Sequence, residues 1–379
     1  MSISTTANAA VSELNQGPLR GSGLRRLSLP VACLALALAL GAPAALSPIP
    51  SHPHPAWLKG WRQKNPIWRG IHLGLSSDQQ AHQLLKELPK LAAVGVNVVI
   101  AEVDYNFDFQ SHPELRPAHY VTKARARELA RKARECGIRL IPQLNCLGHQ
   151  SWGGTTGELL AKHPDFDETP GQFPGNKGIY CRSWCPRNPD VNKVVFALID
   201  ELIDAFDADA FHVGMDEVFI IGSKYCPRCR GHDPAKLFAM QVDALHSHIV
   251  GQRHLEMLMW GDRFLSAKAT GYGKWEASEN HTEGAIDLVP KDIILCDWHY
   301  NKRADYPSVP YLLGKGFRVW PSGWQPLEAA KAFSAFAHGL RTSENNPRLL
   351  GYLCTTWGKV RIPQAAEWPP LVEPLQIWK

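Results

Sequence analysis

The 379-residue chain has no Gly-x-Gly-x-x-Gly after its first β-rich run and no Gly-Lys-Ser/Thr anywhere. It therefore lacks the phosphate-cradling turns of dinucleotide-binding and P-loop folds. Neither sign of charge dominates, with 41 Lys plus Arg against 36 Asp plus Glu. The first 44 residues hold three of the arginines and one glutamate, so the remainder carries only +3. A surplus that small, spread along the chain, excludes the basic face of a nucleic-acid binder and gives no anionic membrane surface as partner. His-x-His pairs and His/Asp clusters are sparse, which leaves a barrel metallohydrolase poorly supported. No low-complexity linker divides the chain. What is present is ordinary globular material, 45% hydrophobic and 20% charged, which excludes a mainly disordered or collagenous protein.

The N-terminal residues form a separate unit. A polar lead rich in Ser and Asn is followed by Arg25-Arg26, an apolar run over 27–40, and the small residues Ala42-Pro43-Ala44. Basic flank, apolar core and Ala-x-Ala together predict an export signal over 1–45, cut near Ala44. The paired arginines resemble a twin-arginine signal, so a periplasmic or secreted location is expected. A retained anchor over 29–46 is the competing account, but that run is short and broken by Pro43. No later run is long enough to cross a bilayer, so no stable span is expected in the mature form. Residues 46–68 are expected to be a surface lead-in, and 69–379 a single domain with a C-terminal tail.

From residue 69 onward short β-rich runs alternate with longer amphipathic ones. Candidate strands fall at 70–74, 96–103, 138–144, 210–215, 254–260, 293–297, 317–320 and 349–354. Candidate helices fall at 77–93, 123–136, 191–206, 234–249 and 326–339. Val96-Asn97-Val98-Val99-Ile100 is apolar on both parities, as a parallel strand covered on both faces must be. Gly95 and Gly137 each stand after a helix and before a strand, the expected αβ connection. Eight strand runs in one domain of this size predict an α/β fold, the (β/α)8 TIM barrel, rather than an open doubly wound sheet. Residues 266–291 show no long helical run, and distortion is expected there.

In such a barrel, polar residues at the C-terminal strand ends converge on one site. Those positions hold Asp104, Asn145, His149, Asp216, Glu217, Trp260, Asp262, Asp297, Trp298, Tyr300, Trp320, Trp324 and Trp357. Adjacent Asp216 and Glu217 are the sharpest feature. Neighbours on a regular strand face opposite ways, so both reach the mouth only if the strand ends near Met215 and the backbone turns. Crowded carboxylates repel, which raises one pKa and separates an acid from a group that stays ionised. Side-chain reach makes Glu217 the proton donor and Asp216 the orienting or charge-stabilising group. An isolated Asp-Glu is equally well a cap on the following turn, but here it stands among tryptophans. The chain has 13 of them, and an aromatic face packs well on the C–H surface of a sugar. Trp260, Trp298, Trp320 and Trp357 are candidate walls, with Asn145, His149, Asp262 and Asp297 as polar contacts.

The segment His212-Val213-Gly214-Met215-Asp216-Glu217-Val218 resembles the catalytic strand of the family 20 glycoside hydrolases, the β-N-acetylhexosaminidases. Trp184-Cys185-Pro186-Arg187-Asn188-Pro189-Asp190-Val191 resembles the stretch leading into it. Pro142-Gln143-Leu144-Asn145 with Gly148-His149, Trp260-Gly261-Asp262, and the run from Gly351 to Trp357 are similar to the ends of the third, fifth and last strands. The resemblance covers roughly 68–360 and implies substrate-assisted retaining hydrolysis of terminal β-linked N-acetylhexosamine in a glycan or glycoconjugate, outside the two-carboxylate scheme. It implies that the substrate's acetamido oxygen attacks the anomeric carbon. Glu217 then serves as general acid/base, Asp216 orients the acetamido group, Tyr300 hydrogen-bonds its oxygen, and no cofactor is needed for catalysis. The chain departs from the family pattern at Met215, where a second Gly is usual, and at Lys359, where an acidic residue is common. Its first strand, Arg69-Gly70-Ile71-His72-Leu73-Gly74, runs into neither the usual Asp nor the sugar-binding Arg. An ordinary two-carboxylate glycosidase using Asp262 or Asp297, and a non-catalytic carbohydrate-binding barrel, fit the same residues.

Nine cysteines leave eight once Cys33 is removed with the signal. Cys226-Pro227-Arg228-Cys229 has the spacing of a metal knuckle, and Cys181 with Cys185 would complete a tetrathiolate structural zinc site. Disulfides compete with zinc, because an exported protein meets oxidising surroundings. Cys136, Cys146, Cys296 and Cys354 lie at element ends and are expected to be small core residues.

Overall fold

The computed structural model describes residues 55–344 and 346–379, and the expected export signal lies outside them. Eight parallel strands close into a barrel: β1 (Trp68–Gly74), β2 (Val98–Glu102), β3 (Arg139–Cys146), β4 (Ala210–Gly214), β5 (Glu256–Trp260), β6 (Ile294–Trp298), β7 (Arg318–Gly323) and β8 (Gly351–Thr355). Each pairs with its sequence neighbours, and β8 pairs with β1. This is the (β/α)8 barrel that the eight apolar runs predict. Both faces of the central strands are buried, which is why alternation is absent from their sequences.

The outer helices are α1 (Pro55–Lys64), α2 (Asp78–Ala93), α3 (Lys123–Glu135), α4 (Pro189–Phe206), α5 (Pro234–His246), α6 (Ser308–Gly314), α7 (Leu327–Glu344) and α8 (Pro369–Gln376). Their starts are chemically marked. Ser77, Thr122, Asn188 and Asp233 each cap a helix by accepting a backbone N–H two or three residues on. No long helix joins β5 to β6, as expected over 266–291. Short turns at Asp262–Phe264, Ala267–Thr270 and Glu283–Asp287 replace it. Buried Arg263 holds them together, its Nη2 donating to the carbonyls of Lys274, Trp275 and Ala277 at 2.8–2.9 Å. No helix of the described residues is long and apolar enough to cross a membrane.

Tryptophans close the lower end of the barrel. Helix α1, from the segment expected to be a surface lead-in, lays Trp61 edge-on against Trp68, whose ring meets Trp320 5.2 Å away inside the barrel. Trp320 fits because residue 70 is glycine: a Cβ there would stand 2.3 Å from its ring. Below it, buried Arg139 spans Asp209 and Glu256 at 2.5 and 2.7 Å. Burial alone would raise Glu256, but Arg139, Arg318 and Arg62 hold it well below the usual carboxylate range. The bottom is thereby sealed, and the open end lies at the C-terminal ends of the strands.

Candidate active site

Strand β4 stops at Gly214 because the backbone there changes hand. Gly214, Met215 and Glu217 have φ of 65°, 68° and 47°. His212 Nδ1 accepts the Gly214 N–H at 3.0 Å, and the Glu217 N–H donates to Asp262 Oδ2 at 3.0 Å. This is the turn that two adjacent inward carboxylates require. It delivers Asp216 and Glu217 into one cavity of about 460 Å3. The end of β3 turns in the same way, with Leu147 at φ 63° and His149 at φ 55°. His149 Nε2 thereby lies 3.2 Å from Asp216 Oδ2 and 3.4 Å from Glu217 Oε2.

The electrostatics of the three groups are interdependent. Burial alone would lower His149, but the charges of Asp216, Glu217 and Glu102 overcome it and raise the imidazole to about 10. Glu217 moves up to about 7, first through burial and then through the Asp216 charge, with His149 opposing. A carboxyl group so placed retains a proton near neutrality and can donate it. Tyr180 lines the same cavity as Glu217, and burial followed by the Glu217 charge keeps its phenol protonated.

Asn145 organises the neighbouring acids. Its Nδ2 donates to Glu102 Oε1 at 2.7 Å and its backbone N–H to Asp104 Oδ1 at 2.8 Å. Burial pushes both carboxyl groups up, with the Asp104 and Asp216 charges adding to the effect on Glu102. Among the described residues lining the cavity, His149 is the only basic one. The opposite wall is aromatic. Trp298 stacks on Tyr300 at 4.9 Å, Trp324 meets Tyr300 edge-on at 5.4 Å, and Trp357 Nε1 donates to the Tyr300 hydroxyl at 2.7 Å. Thr355 Oγ1 lies 3.4 Å from the same oxygen but gives its one proton to the Gly323 carbonyl at 3.0 Å, so Trp357 is the donor that fixes the Tyr300 hydroxyl.

Of the residues singled out in the sequence, Asp104, Asn145, His149, Asp216, Glu217, Trp298, Tyr300, Trp324 and Trp357 line this cavity. Four do not, and each is corrected for a physical reason. Trp260 and Trp320 are fully buried in the barrel interior one layer below. Trp260 supports the site from beneath by packing on His72, His212 and Trp357. Asp297 precedes inward-facing Trp298, so strand alternation points it outward, where it accepts from Ser308 at 2.7 Å and faces His299 at 3.3 Å. Asp262 pairs with Arg263 at 2.6 Å, and it holds the Glu217 backbone rather than a ligand. Neither Asp262 nor Asp297 is therefore available as the distant carboxylate of a two-carboxylate site.

Glu102, Ser151, Trp152 and Tyr180 line the cavity without having been singled out. Glu102 was within reach of sequence reasoning, because it ends β2 two residues before Asp104 and so shares its parity. Ser151, Trp152 and Tyr180 sit in the irregular loop after β3, where no periodicity marks them.

The cysteine expectation also changes. Cys185, Cys226 and Cys229 come together, but their fourth companion is Glu168, not Cys181, and the cluster has the composition to hold a metal ion. Cys181 lies on the cavity side, its Sγ 3.7 Å from the Glu217 carbonyl. Cys146, Cys296 and Cys354 are buried core thiols, and Cys136 is half-buried.

The model of the glycosyl hydrolase family 20 catalytic domain matches residues 69–319. No curated protein matches the chain in sequence. Among solved structures it is similar to a Flavobacterium johnsoniae chitobiase, at 20% identity and TM-score 0.57, over 80% of this chain and 47% of that one. It is similar also to a Vibrio harveyi exo-β-N-acetylglucosaminidase solved with N-acetylglucosamine, at 15% identity and TM-score 0.58, over 82% and 54%. A Bacteroides fragilis β-N-acetylhexosaminidase aligns at 13% identity and TM-score 0.57, over 82% and 65%. The chain thus spans between about half and two thirds of the length of these proteins. At such identities the structures testify to the barrel, while the family match extends over most of the chain and includes both carboxylates at the β4 turn. The chain belongs to the family 20 glycosyl hydrolases.

Proposed function

We propose that this protein hydrolyses terminal β-linked N-acetylhexosamine from glycans by a substrate-assisted, retaining mechanism. The observation that carries the proposal is the turn after β4, which puts the carboxyl groups of adjacent Asp216 and Glu217 in one aromatic-walled cavity. The sugar lies against Trp298, Tyr300 and Trp357, whose faces cover its C–H surface. Glu217, held protonated near neutral pH, gives its proton to the glycosidic oxygen as that bond breaks. The substrate's own acetamido oxygen attacks the anomeric carbon from the opposite face and closes a cyclic cation. Asp216 accepts from the acetamido N–H and stabilises the developing positive charge, while the Tyr300 hydroxyl, positioned by Trp357 Nε1, donates to the acetamido oxygen. Water then opens the ring, with Glu217 now the base that takes its proton, and two inversions give net retention. His149 balances the carboxylate charge throughout.

The deciding experiment compares aryl N-acetyl-β-hexosaminides with their 2-hydroxy counterparts. Turnover of the first, lost in Glu217→Gln and absent for the second, is expected. Comparable turnover of both sets would defeat substrate assistance, and turnover of neither would favour a binding barrel. Export through the signal at 1–45 is proposed alongside, and cell fractionation with N-terminal sequencing tests it.

A further inference from the structure

Beside the substrate cavity, two loops of the barrel mouth meet in a second polar cluster. Glu168 and Cys185, from the loop between β3 and α4, face Cys226 and Cys229, from the loop between β4 and α5. All four are fully buried. Cys185 Sγ lies 3.3 Å from Cys229 Sγ and 3.4 Å from Cys226 Sγ, and the four candidate ligand atoms are all within 4.8 Å of one another. An S–S bond is about 2.05 Å, so these are thiols. A tetrahedral ion with metal–sulfur bonds of about 2.3 Å separates its sulfurs by about 3.8 Å, a spacing that small adjustments here would reach.

Glu168 is a second and independent observation. One oxygen accepts the Ser223 N–H at 2.9 Å, which ties the carboxylate to the opposite loop. The other, Oε2, is buried without a hydrogen-bond partner. A carboxylate oxygen sealed from water is normally satisfied by a donor or a cation, and this one belongs to a cluster whose other members are cysteine sulfurs.

We propose that Glu168, Cys185, Cys226 and Cys229 form a closed structural Zn2+ site. Thiolate donors in a tetrahedral set select zinc over the harder magnesium and calcium ions. With all four positions supplied by the protein, no position is open for substrate, so the ion is not a catalyst. Its effect is positional. Tyr180, which shares the cavity wall with Glu217, lies in the chain between ligands Glu168 and Cys185, and the loop bearing Cys226 and Cys229 carries Asp216-Glu217 at its start. The ion therefore fastens the Tyr180 wall to the strand end that carries both acids.

The test is metal content of the full-length protein, purified without chelator or added metal, by native mass spectrometry and elemental analysis. One zinc per chain is expected, with Cys185, Cys226 and Cys229 unreactive to thiol reagents until unfolding. Replacing zinc by Co2+ should give a tetrahedral spectrum with a thiolate charge-transfer band, and Glu168→Gln should weaken metal affinity by about tenfold or more. A metal-free mass with these thiols reactive overturns the proposal, as does a mass two hydrogens lower from a disulfide within the cluster. If Glu168→Gln does not fold, the wild-type metal count and cobalt spectrum still decide. These readouts involve no substrate, so the zinc assignment stands or falls apart from the hydrolase assignment. A Glu217→Gln variant should lose turnover with its zinc intact.

Discussion

A Cβ on Gly214 would stand 2.2 Å from Asn145 Oδ1, so the ends of β4 and β3 approach more closely than any side chain at 214 permits. Gly214→Ala is expected to cost about 1–2 kcal/mol from its left-handed backbone alone, and more from displacing Asn145. Because the same turn aims Asp216 and Glu217, kcat/KM should fall further than stability does. Thermal unfolding and aryl-glycoside kinetics on one preparation check this. A variant with normal kinetics would mean that the turn does not position the acids.

The pH dependence follows from Glu217. With its carboxyl raised to about 7, the protonated acid is depleted as pH rises through that value, so kcat/KM should fall on the alkaline side near pH 7. His149 holds Glu217 lower than it would otherwise be. His149→Gln should therefore slow the enzyme and shift the alkaline limb to higher pH. An unmoved limb would contradict the coupling.

Linkage gives a stability counterpart. Glu217 prefers its protonated form when folded, so its contribution declines as pH rises from its ordinary 4.5 to about 7. His149 contributes in full below its ordinary 6.5, and that contribution is lost as pH climbs through about 10. Glu217→Gln should flatten the decline between pH 4.5 and 7 in denaturant titrations.

Tyr300→Phe removes one hydroxyl and leaves the ring on Trp298. Losing a donor to a developing charge typically costs about 100-fold in kcat. That loss is expected on N-acetylated substrates with KM little changed.

Trp320 and Trp357 should separate cleanly. Trp320→Phe, inside the barrel, is expected to lower Tm with KM unchanged, whereas Trp357→Phe, on the cavity wall, should raise KM at nearly unchanged Tm. Asp262→Ala should lower Tm and, because Asp262 accepts the Glu217 N–H, kcat as well. It strands a buried Arg263, at about 3–5 kcal/mol.

Local pattern was enough for the barrel. Strands apolar on both parities can exist only between covering helices, and the glycines after α2 and α3 mark the turns back into β2 and β3. The adjacent acids after β4 were legible for a similar reason, since their placement demanded a break in the strand, and Gly214 allows one. Depth along a strand was not legible. The run expected at 317–320 continues to Gly323, so Trp320 lies below the mouth instead of at it. Contacts across loops were not legible either, because Tyr180 and Glu168 lie in a segment without period.

Composition, periodicity and one Asp-Glu pair thus determined the architecture and the acids, because both depend on residues that are neighbours in the chain. Which tryptophans line the cavity, which aspartates serve the scaffold, and that Glu168 rather than Cys181 joins the three thiols were decided only by the closed barrel. Those choices rest on which side chains from distant loops and layers compete for the same space.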